Sequence, residues 1–162
     1  MAISFTLHGL TGTDRLGHLL GAHFRPGMVI ALNGPLGAGK SELARSMLRA
    51  ACGELGDIPS PTFTLVQHYE MADGVPVWHM DLYRLNAPEE ALALGIEDAF
   101  FEAVCLIEWP VRIADYLPSD RLHITIDFIE GASDERLVRL SGPDDILLSL
   151  ASAETAGLLS RA

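Results

Sequence analysis

Apolar and polar positions follow several different patterns in the first third of the chain, and each pattern predicts an element. Residues 3–8 alternate apolar with polar side chains, which predicts a half-buried strand at the edge of a sheet. Thr13 precedes leucines at helical spacing, so it is predicted to cap a helix. The unbroken apolar run Met28–Leu32 predicts a buried strand, and the helical spacing of apolar residues after Ser41 predicts a helix that ends at Gly53.

The rest of the chain carries five more strand patterns and two helix patterns. The strand patterns are Leu65–Tyr69, Val75–Met80, Val104–Glu108, Leu122–Ile129 and Leu137–Leu140. Asp73-Gly74 predicts a hairpin between the first two, and the last two are predicted to form a second antiparallel pair. A helix is predicted over 88–94 and another in the tail. This order predicts an α/β fold, with one domain over 1–143 that has a mixed central sheet flanked by helices, and a peripheral C-terminal helix or tail over 144–162.

The segment between the buried strand and its helix, Gly34–Ser41, fits the pattern G-x-x-x-x-G-K-[ST]. Strand, loop and helix fall in the order that this motif requires, which predicts a P-loop NTPase fold. Glycines allow backbone N–H groups to turn toward a triphosphate, and the helix dipole favours the same anion. Lys40 supplies a mobile charge for the outer phosphates, and Ser41 a hydroxyl for Mg²⁺. The candidate nucleotide-binding residues of this loop are Gly34, Leu36, Gly37, Ala38, Gly39, Lys40 and Ser41.

Composition limits the partners of the protein. The formal net charge is −11 at pH 7, so the surface should repel nucleic-acid backbones and anionic lipid outside the loop. Lys40 is the only lysine beside ten arginines, which favours a site that needs a compact ammonium group. Cys52 and Cys105 indicate neither a disulfide framework nor a zinc site. Since no apolar run approaches the ~18 residues of a membrane span, we expect a soluble, unexported, cytoplasmic protein that binds neither membrane nor nucleic acid directly.

Two of the predicted strands end in carboxylates that could face the loop, Asp81 and Glu108. In α/β nucleotide-binding folds an acid in this position holds or orients hydrated magnesium. The pattern favours the two residues equally, and leaves open that either is an exposed acid at a strand end. Thr62, in the hydroxyl-rich segment 60–66, is also open to two interpretations: a sensor of the γ-phosphate, or a turn residue with satisfied hydroxyls. The six histidines have no ligand spacing, so none is assigned a metal.

Four blocks of sequence, in this order, resemble the bacterial TsaE family, also called YjeE. The blocks are Gly34–Ser41, Ser60–Val66, His79–Leu85 and Leu106–Pro110. The similarity extends from about Thr13 to Arg139. It implies a Mg²⁺-dependent ATPase that is weak alone and is stimulated by its partners, the TsaB and TsaD proteins. The implied process is the threonylcarbamoyladenosine (t6A) modification of tRNA, with tRNA contacted only indirectly through the complex.

The resemblance also implies roles for single residues. ATP is expected to be held by residues 36–41 and by the N-terminal segment near Leu10, and Mg²⁺ by Ser41 and Glu108. The family often has an acid where this chain has Pro35 and a threonine where it has Ser41. The serine keeps the needed hydroxyl, and position 35 contributes mainly backbone. The residues expected to be required for catalysis are Lys40, Thr62, Asp81 and Glu108.

Two other classes of nucleotide-binding protein share the loop motif. A small-molecule P-loop kinase is the alternative function, but such enzymes usually close an arginine-bearing lid over the phosphates, whereas Arg112 and Arg121 stand isolated here. A GTPase is disfavoured because the guanine-reading motif N-K-x-D needs a second lysine. Release of phosphate from ATP without an added acceptor would favour the ATPase over the kinase.

Overall fold

A computed structural model describes residues 1–155 and 157–162. Its helices and strands, in chain order, are β1 (Ala2–His8), α1 (Gly9–Gly21), β2 (Val29–Asn33), α2 (Lys40–Cys52), β3 (Val66–Glu70), β4 (Pro76–Asp81), α3 (Pro88–Leu92), α4 (Ile96–Glu102), β5 (Val104–Glu108), β6 (Leu122–Ile129), β7 (Ala132–Ser141), α5 (Asp144–Thr155) and β8 (Ser160–Arg161). A 3-10 helix, Pro110–Tyr116, joins β5 to the segment before β6. Among the described residues, no helix is both long enough and apolar enough to cross a lipid bilayer.

The eight strands form one mixed sheet in the order β3-β4-β5-β2-β6-β7-β1-β8. The pairs β4–β5, β5–β2 and β2–β6 are parallel, and the remaining neighbours are antiparallel. The predicted α/β fold with a mixed central sheet is therefore confirmed. Because the carboxyl ends of β4, β5 and β2 meet at one edge, the loops that follow these strands are neighbours.

Helices cover both faces of the sheet, and the strand side chains divide between them. On β2, Ile30 and Leu32 belong to the cluster that includes α1, α2 and α5 side chains. Val29 belongs to the cluster on the opposite face, beneath α3 and α4. The central strands are apolar on both sides for this reason, which explains why Met28–Leu32 lacks the alternation of a half-exposed strand.

Close packing of α1 on α2 depends on two glycines of α1. A Cβ on Gly21 would lie 2.7 Å from the carbonyl oxygen of Met47, and a Cβ on Gly17 would overlap the side chain of Ser46. Ser46 is itself buried and donates a hydrogen bond of 3.0 Å to the carbonyl oxygen of Asp14. The helix that follows the glycine-rich loop is thus packed closely against α1.

Three sequence predictions need correction, two in the N-terminal segment and one at α3. Thr13 does not cap α1, because the helix already begins at Gly9 and Thr13 is buried inside it. Strand β1 is not the edge strand, since two of its residues pair with β8. The helix predicted over 88–94 ends at Leu92, and a separate helix, α4, follows.

Candidate active site

The glycine-rich loop connects the carboxyl end of β2 to the first turn of α2. Gly34 has a φ of 143°, and a Cβ there would overlap the carbonyl oxygen of Ile126 on β6. Gly39, with a φ of 112°, stands immediately before α2. Both conformations favour glycine, because an L side chain is strained at these angles. The sequence motif therefore has a backbone cause in this fold.

Lys40 is buried, and no other Lys or Arg side chain in the described part of the chain is. Its Nζ donates hydrogen bonds to the carbonyl oxygens of Gly34 (2.7 Å) and Pro35 (2.9 Å). The same nitrogen lies 4.3 Å from the centre of the Trp109 ring. Burial lowers the pKa of Lys40, and the nearby carboxylates of Glu108 and Asp81 oppose this shift. An added anion would favour the charged form further.

The two candidate carboxylates lie side by side at the carboxyl ends of parallel strands. Asp81 of β4 is in register with Glu108 of β5, and both are buried. The Oε1 atom of Glu108 accepts a hydrogen bond of 2.7 Å from the hydroxyl of Ser41. The pattern alone left open whether these acids were exposed strand ends, and the structure places both inside the site beside the loop.

Asp81 is connected to the loop that precedes β3. Its Oδ2 atom accepts a hydrogen bond of 3.0 Å from the Thr62 hydroxyl, which also lies 2.7 Å from the hydroxyl of Ser60. Its Oδ1 atom accepts the backbone N–H of Tyr83 at 3.0 Å. Thr62 thus has satisfied hydroxyl contacts, as a turn residue would, and it also touches a carboxylate of the site, as a sensor would.

A cavity of about 290 Å³ lies among these groups. Its lining residues are Leu36, Gly37, Gly39, Lys40, Ser41, Glu42, Arg45, Thr62, Asp81, Tyr83, Glu108 and Trp109. The structure therefore brings together all four residues expected to be catalytic. Gly34 and Ala38 do not line the cavity, although Gly34 contacts Lys40. Leu10 does not line it either and is 72% exposed in the first turn of α1.

Sequence reasoning missed several contributors to this site. Trp109 carried no catalytic pattern in the sequence, yet its ring lies over the Lys40 ammonium group, its ring centre is 4.9 Å from that of Tyr83, and its φ of 56° is left-handed. Such a conformation costs a bulky residue about 1–3 kcal/mol and is concentrated at functional sites. Arg136 of β7 donates a hydrogen bond of 3.2 Å to the carbonyl oxygen of Ala38. That contact could not be found without knowing how β7 pairs.

His79 was the other omission. It is fully buried on β4, and its Nε2 atom lies 2.8 Å from the Oε2 atom of Glu108. One signal was available in the sequence: residues two apart on a strand share a face, so His79 lies on the same side of the sheet as Asp81. The spacing of the histidines argued only against direct metal binding and did not bear on a contact between His79 and a carboxylate.

The donor set suits a hard cation that also binds phosphate. Among the described residues, no group of three or more His, Cys, Asp or Glu side chains is arranged to hold a metal by itself. Mg²⁺ does not need such a group, because it usually takes one or two protein oxygens and fills its shell with water and substrate phosphates. Ser41 and Glu108 offer two adjacent oxygens of this kind, with Asp81 close by.

Fold and site together define an α/β protein with an eight-stranded mixed sheet, a glycine-rich loop motif and two carboxylates at one sheet edge. Residues 7–138 match the profile of the family described as "Threonylcarbamoyl adenosine biosynthesis protein TsaE". This chain belongs to the TsaE family, and its role is as a component of tRNA t6A biosynthesis. The predicted resemblance is confirmed.

Curated relatives and a solved structure agree with this assignment. The chain is 41% identical over 121 residues to the tRNA threonylcarbamoyladenosine biosynthesis protein TsaE of Haemophilus influenzae, covering 74% of this chain and 75% of that protein. It is 38% identical over 126 residues to the protein of the same name from Bacillus subtilis, covering 76% and 75%. The crystal structure of Bacillus subtilis YdiB superposes with a TM-score of 0.75 at 27% identity, covering 97% of each chain.

Proposed function

We propose that this protein is a Mg²⁺-dependent ATPase of the P-loop NTPase class that supplies the ATP-driven step of the t6A machinery. The observation that carries the proposal is a single cavity enclosed by Lys40, Ser41, Asp81 and Glu108. A glycine-rich loop motif alone is common. A loop motif that faces two buried carboxylates at neighbouring strand ends offers groups for the phosphates and groups for the metal of a Mg-nucleotide.

The triphosphate of ATP would lie on the backbone of residues 37–41. Lys40 donates to two loop carbonyls, and phosphate oxygens would compete with them for the same ammonium protons. The N-terminal segment near Leu10 would contact the base. Leu10 is exposed at the same sheet edge, because β1 runs parallel to β2 through β7 and β6 and α1 begins where β1 ends.

The metal would be held by the Ser41 hydroxyl and the Glu108 carboxylate. When bound, Mg²⁺ neutralises charge on the phosphate oxygens during phosphoryl transfer. The hydrogen bond between Ser41 and Glu108 keeps the two protein oxygens adjacent without the ion. Asp81 would orient water beside this pair, and Thr62, bonded to Asp81, would report the γ-phosphate.

Partner proteins are needed in this proposal because Arg45 and Arg84, near the cavity, already contact other groups of the protein. Arg45 donates to the carbonyl oxygen of Ile58 (3.0 Å) and to Glu42 (2.9 Å), and the guanidinium of Arg84 lies over the Phe63 ring. An arginine supplied to the transition state raises hydrolysis by about 10³–10⁵. The isolated chain should therefore hydrolyse ATP slowly, and TsaB and TsaD are the proposed partners that stimulate it. The acidic chain would affect tRNA only through this complex.

A paired assay tests the proposal. Phosphate release from Mg-ATP is measured for the chain alone and with TsaB and TsaD, beside t6A formation on tRNA in the same mixtures. We expect slow release alone, faster release with the partners, and t6A formation only when hydrolysis occurs. If phosphate appeared only after a small-molecule acceptor was added, the protein would be a kinase. Hydrolysis that stayed undetectable in the complete mixture would contradict the proposal.

A further inference from the structure

Within the described part of the chain, His79 makes one polar contact, and that contact is with the candidate metal ligand Glu108. Its Nε2 atom is 2.8 Å from Oε2, and neither side chain is more than 2% exposed. Its other ring nitrogen, Nδ1, is buried and has no hydrogen-bond partner within residues 1–155 and 157–162. The ring therefore loses potential hydrogen bonding on burial, and the bond to Glu108 is what it retains.

The direction of this bond follows from the chemistry of the two groups. With Glu108 ionised, as a ligand of Mg²⁺ must be, the carboxylate has no hydrogen to donate, so Nε2 carries the hydrogen and donates it to Oε2. The opposite oxygen, Oε1, accepts the Ser41 hydroxyl at 2.7 Å. The carboxylate of Glu108 is thus held from both sides. Rotation about its terminal bond would break two hydrogen bonds in a place where bulk water cannot replace them.

We propose that His79 is a positioning residue that fixes the Glu108 carboxylate so that one oxygen stays on the Ser41 side. This inference rests on the proposed function, because the oxygen it fixes is the one assigned to Mg²⁺. Outer partners of this kind orient metal ligands, and their loss typically costs about 10–100-fold in metal affinity or activity. His79 touches neither nucleotide nor metal in this arrangement and acts only through Glu108.

Three substitutions separate positioning from packing. His79→Gln keeps an N–H donor near the position of Nε2, whereas His79→Leu fills similar volume with no donor. His79→Asn is polar but too short to reach Glu108. The matched control is His68→Leu, on the neighbouring strand β3, where the histidine is exposed and packs edge-on against Trp78 rather than against the site.

The measurement is the factor by which Mg²⁺ tightens ADP binding, obtained by calorimetry in excess Mg²⁺ and again in EDTA. We expect His79→Leu to reduce this factor by about tenfold while the affinity in EDTA is unchanged. His79→Gln should retain most of the factor, and His68→Leu should retain all of it. In a Glu108→Gln background, His79→Leu should cause no further loss, since the residue it positions is already altered.

The outcomes distinguish this inference from the proposed function. If wild-type protein hydrolyses ATP and His79→Leu keeps the full Mg²⁺ effect, the inference is wrong and the proposed function stands. If His79→Leu does not fold, the comparison moves to Asn and Gln, and an equal Mg²⁺ effect in these two overturns the inference. If the wild-type protein gains no ADP affinity from Mg²⁺ and hydrolyses no ATP with its partners, both are overturned.

Discussion

Charge balance at individual residues explains why the site would need a metal. Lys40 contributes one positive charge, while Asp81 and Glu108, both nearly inaccessible to water, contribute two negative charges when ionised. A triphosphate placed beside them would meet a net negative site. A divalent cation held by Ser41 and Glu108 reverses that sign, so nucleotide and metal should bind together. Lys40 and the Glu108 carboxylate can therefore be tested separately.

Replacing Lys40 tests the contribution of the ammonium group. Lys40→Ala should lower ATP turnover by about 10²-fold or more, as removal of a preorganised charge does at other transition states. The free energy of unfolding should change by less than about 1 kcal/mol, because burial already disfavours the charge and the freed loop carbonyls regain water. Turnover and thermal melting are measured in parallel. Arg25→Ala removes a half-exposed cation paired with Asp145 and is the control; wild-type turnover in Lys40→Ala would contradict the assignment.

Replacing Glu108 separates the metal role from a structural role. Glu108→Ala should reduce Mg²⁺-dependent hydrolysis far more than nucleotide binding, because Lys40 and the loop backbone still contact the phosphates. Hydrolysis rate and ADP affinity are compared with those of Glu102→Ala, which removes an exposed acid at the end of α4. Equal losses of hydrolysis and binding in Glu108→Ala would instead indicate that the carboxylate only supports the fold of the loop.

At the scale of elements, the segment between α2 and β3 is attached to the rest of the site at several points. Arg45 of α2 holds the carbonyl oxygen of Ile58, and Thr62 bonds Asp81 of β4. The backbone N–H of Asp81 also donates to the carbonyl oxygen of Leu65 at 3.0 Å. Phe63 between these points is 81% exposed. Ile58 is buried in the apolar core, whereas residues 62–64 beyond it are more exposed and are held mainly by polar contacts, so this part is suited to respond to what the cavity holds.

Hydrogen exchange tests that response. If Thr62 senses the γ-phosphate, amides of residues 60–65 should be more protected with a non-hydrolysable ATP analogue than with ADP, both in excess Mg²⁺. The hairpin of β3 and β4 provides an internal reference, since its ladder should be unaffected by the nucleotide. Equal protection of residues 60–65 in the two complexes would leave Thr62 as a turn residue.

Strong periodic segments were predictable at this scale, and contacts between distant segments were not. The buried strand Met28–Leu32, the hairpin and the carboxylates at two strand ends follow from local pattern and were found. Helix α4 was not predicted, because it has only seven residues after the αL glycine Gly95, too few for a helical pattern to be recognised. Strand β8 was not predicted either, because its two residues are too few to show an alternating pattern. The bond between His79 and Glu108 depends on the pairing of β4 with β5, which no local signal encodes.

At the scale of the whole molecule, the site stands on the central parallel strands of the sheet. Cys105 of β5 lies between β4 and β2, is completely buried, and belongs to the cluster beneath α3 and α4. Burial raises the pKa of its thiol to about 12. Glu108 thus stands three residues further along a strand whose centre is fully buried.

Thiol alkylation tests whether the centre of the sheet around Cys105 opens in the native protein. At pH 8, iodoacetamide should modify Cys105 only on unfolding, because the thiolate that reacts is scarce below the raised pKa and the side chain is inaccessible. Cys52, which is partly exposed at the end of α2, should react sooner, although burial raises its pKa as well. Mass spectrometry of native and urea-treated samples resolves the two sites. Native modification of Cys105 at the rate of Cys52 would indicate that the sheet opens locally.

A crystal structure of the protein grown with Mg²⁺ and ADP would locate the nucleotide and the metal. We expect the diphosphate to lie against the backbone N–H groups of residues 37–41, with Mg²⁺ in contact with the Ser41 hydroxyl and the Glu108 carboxylate in its coordination shell. A nucleotide bound elsewhere on the molecule, or a Glu108 side chain directed away from the metal, would contradict this expectation.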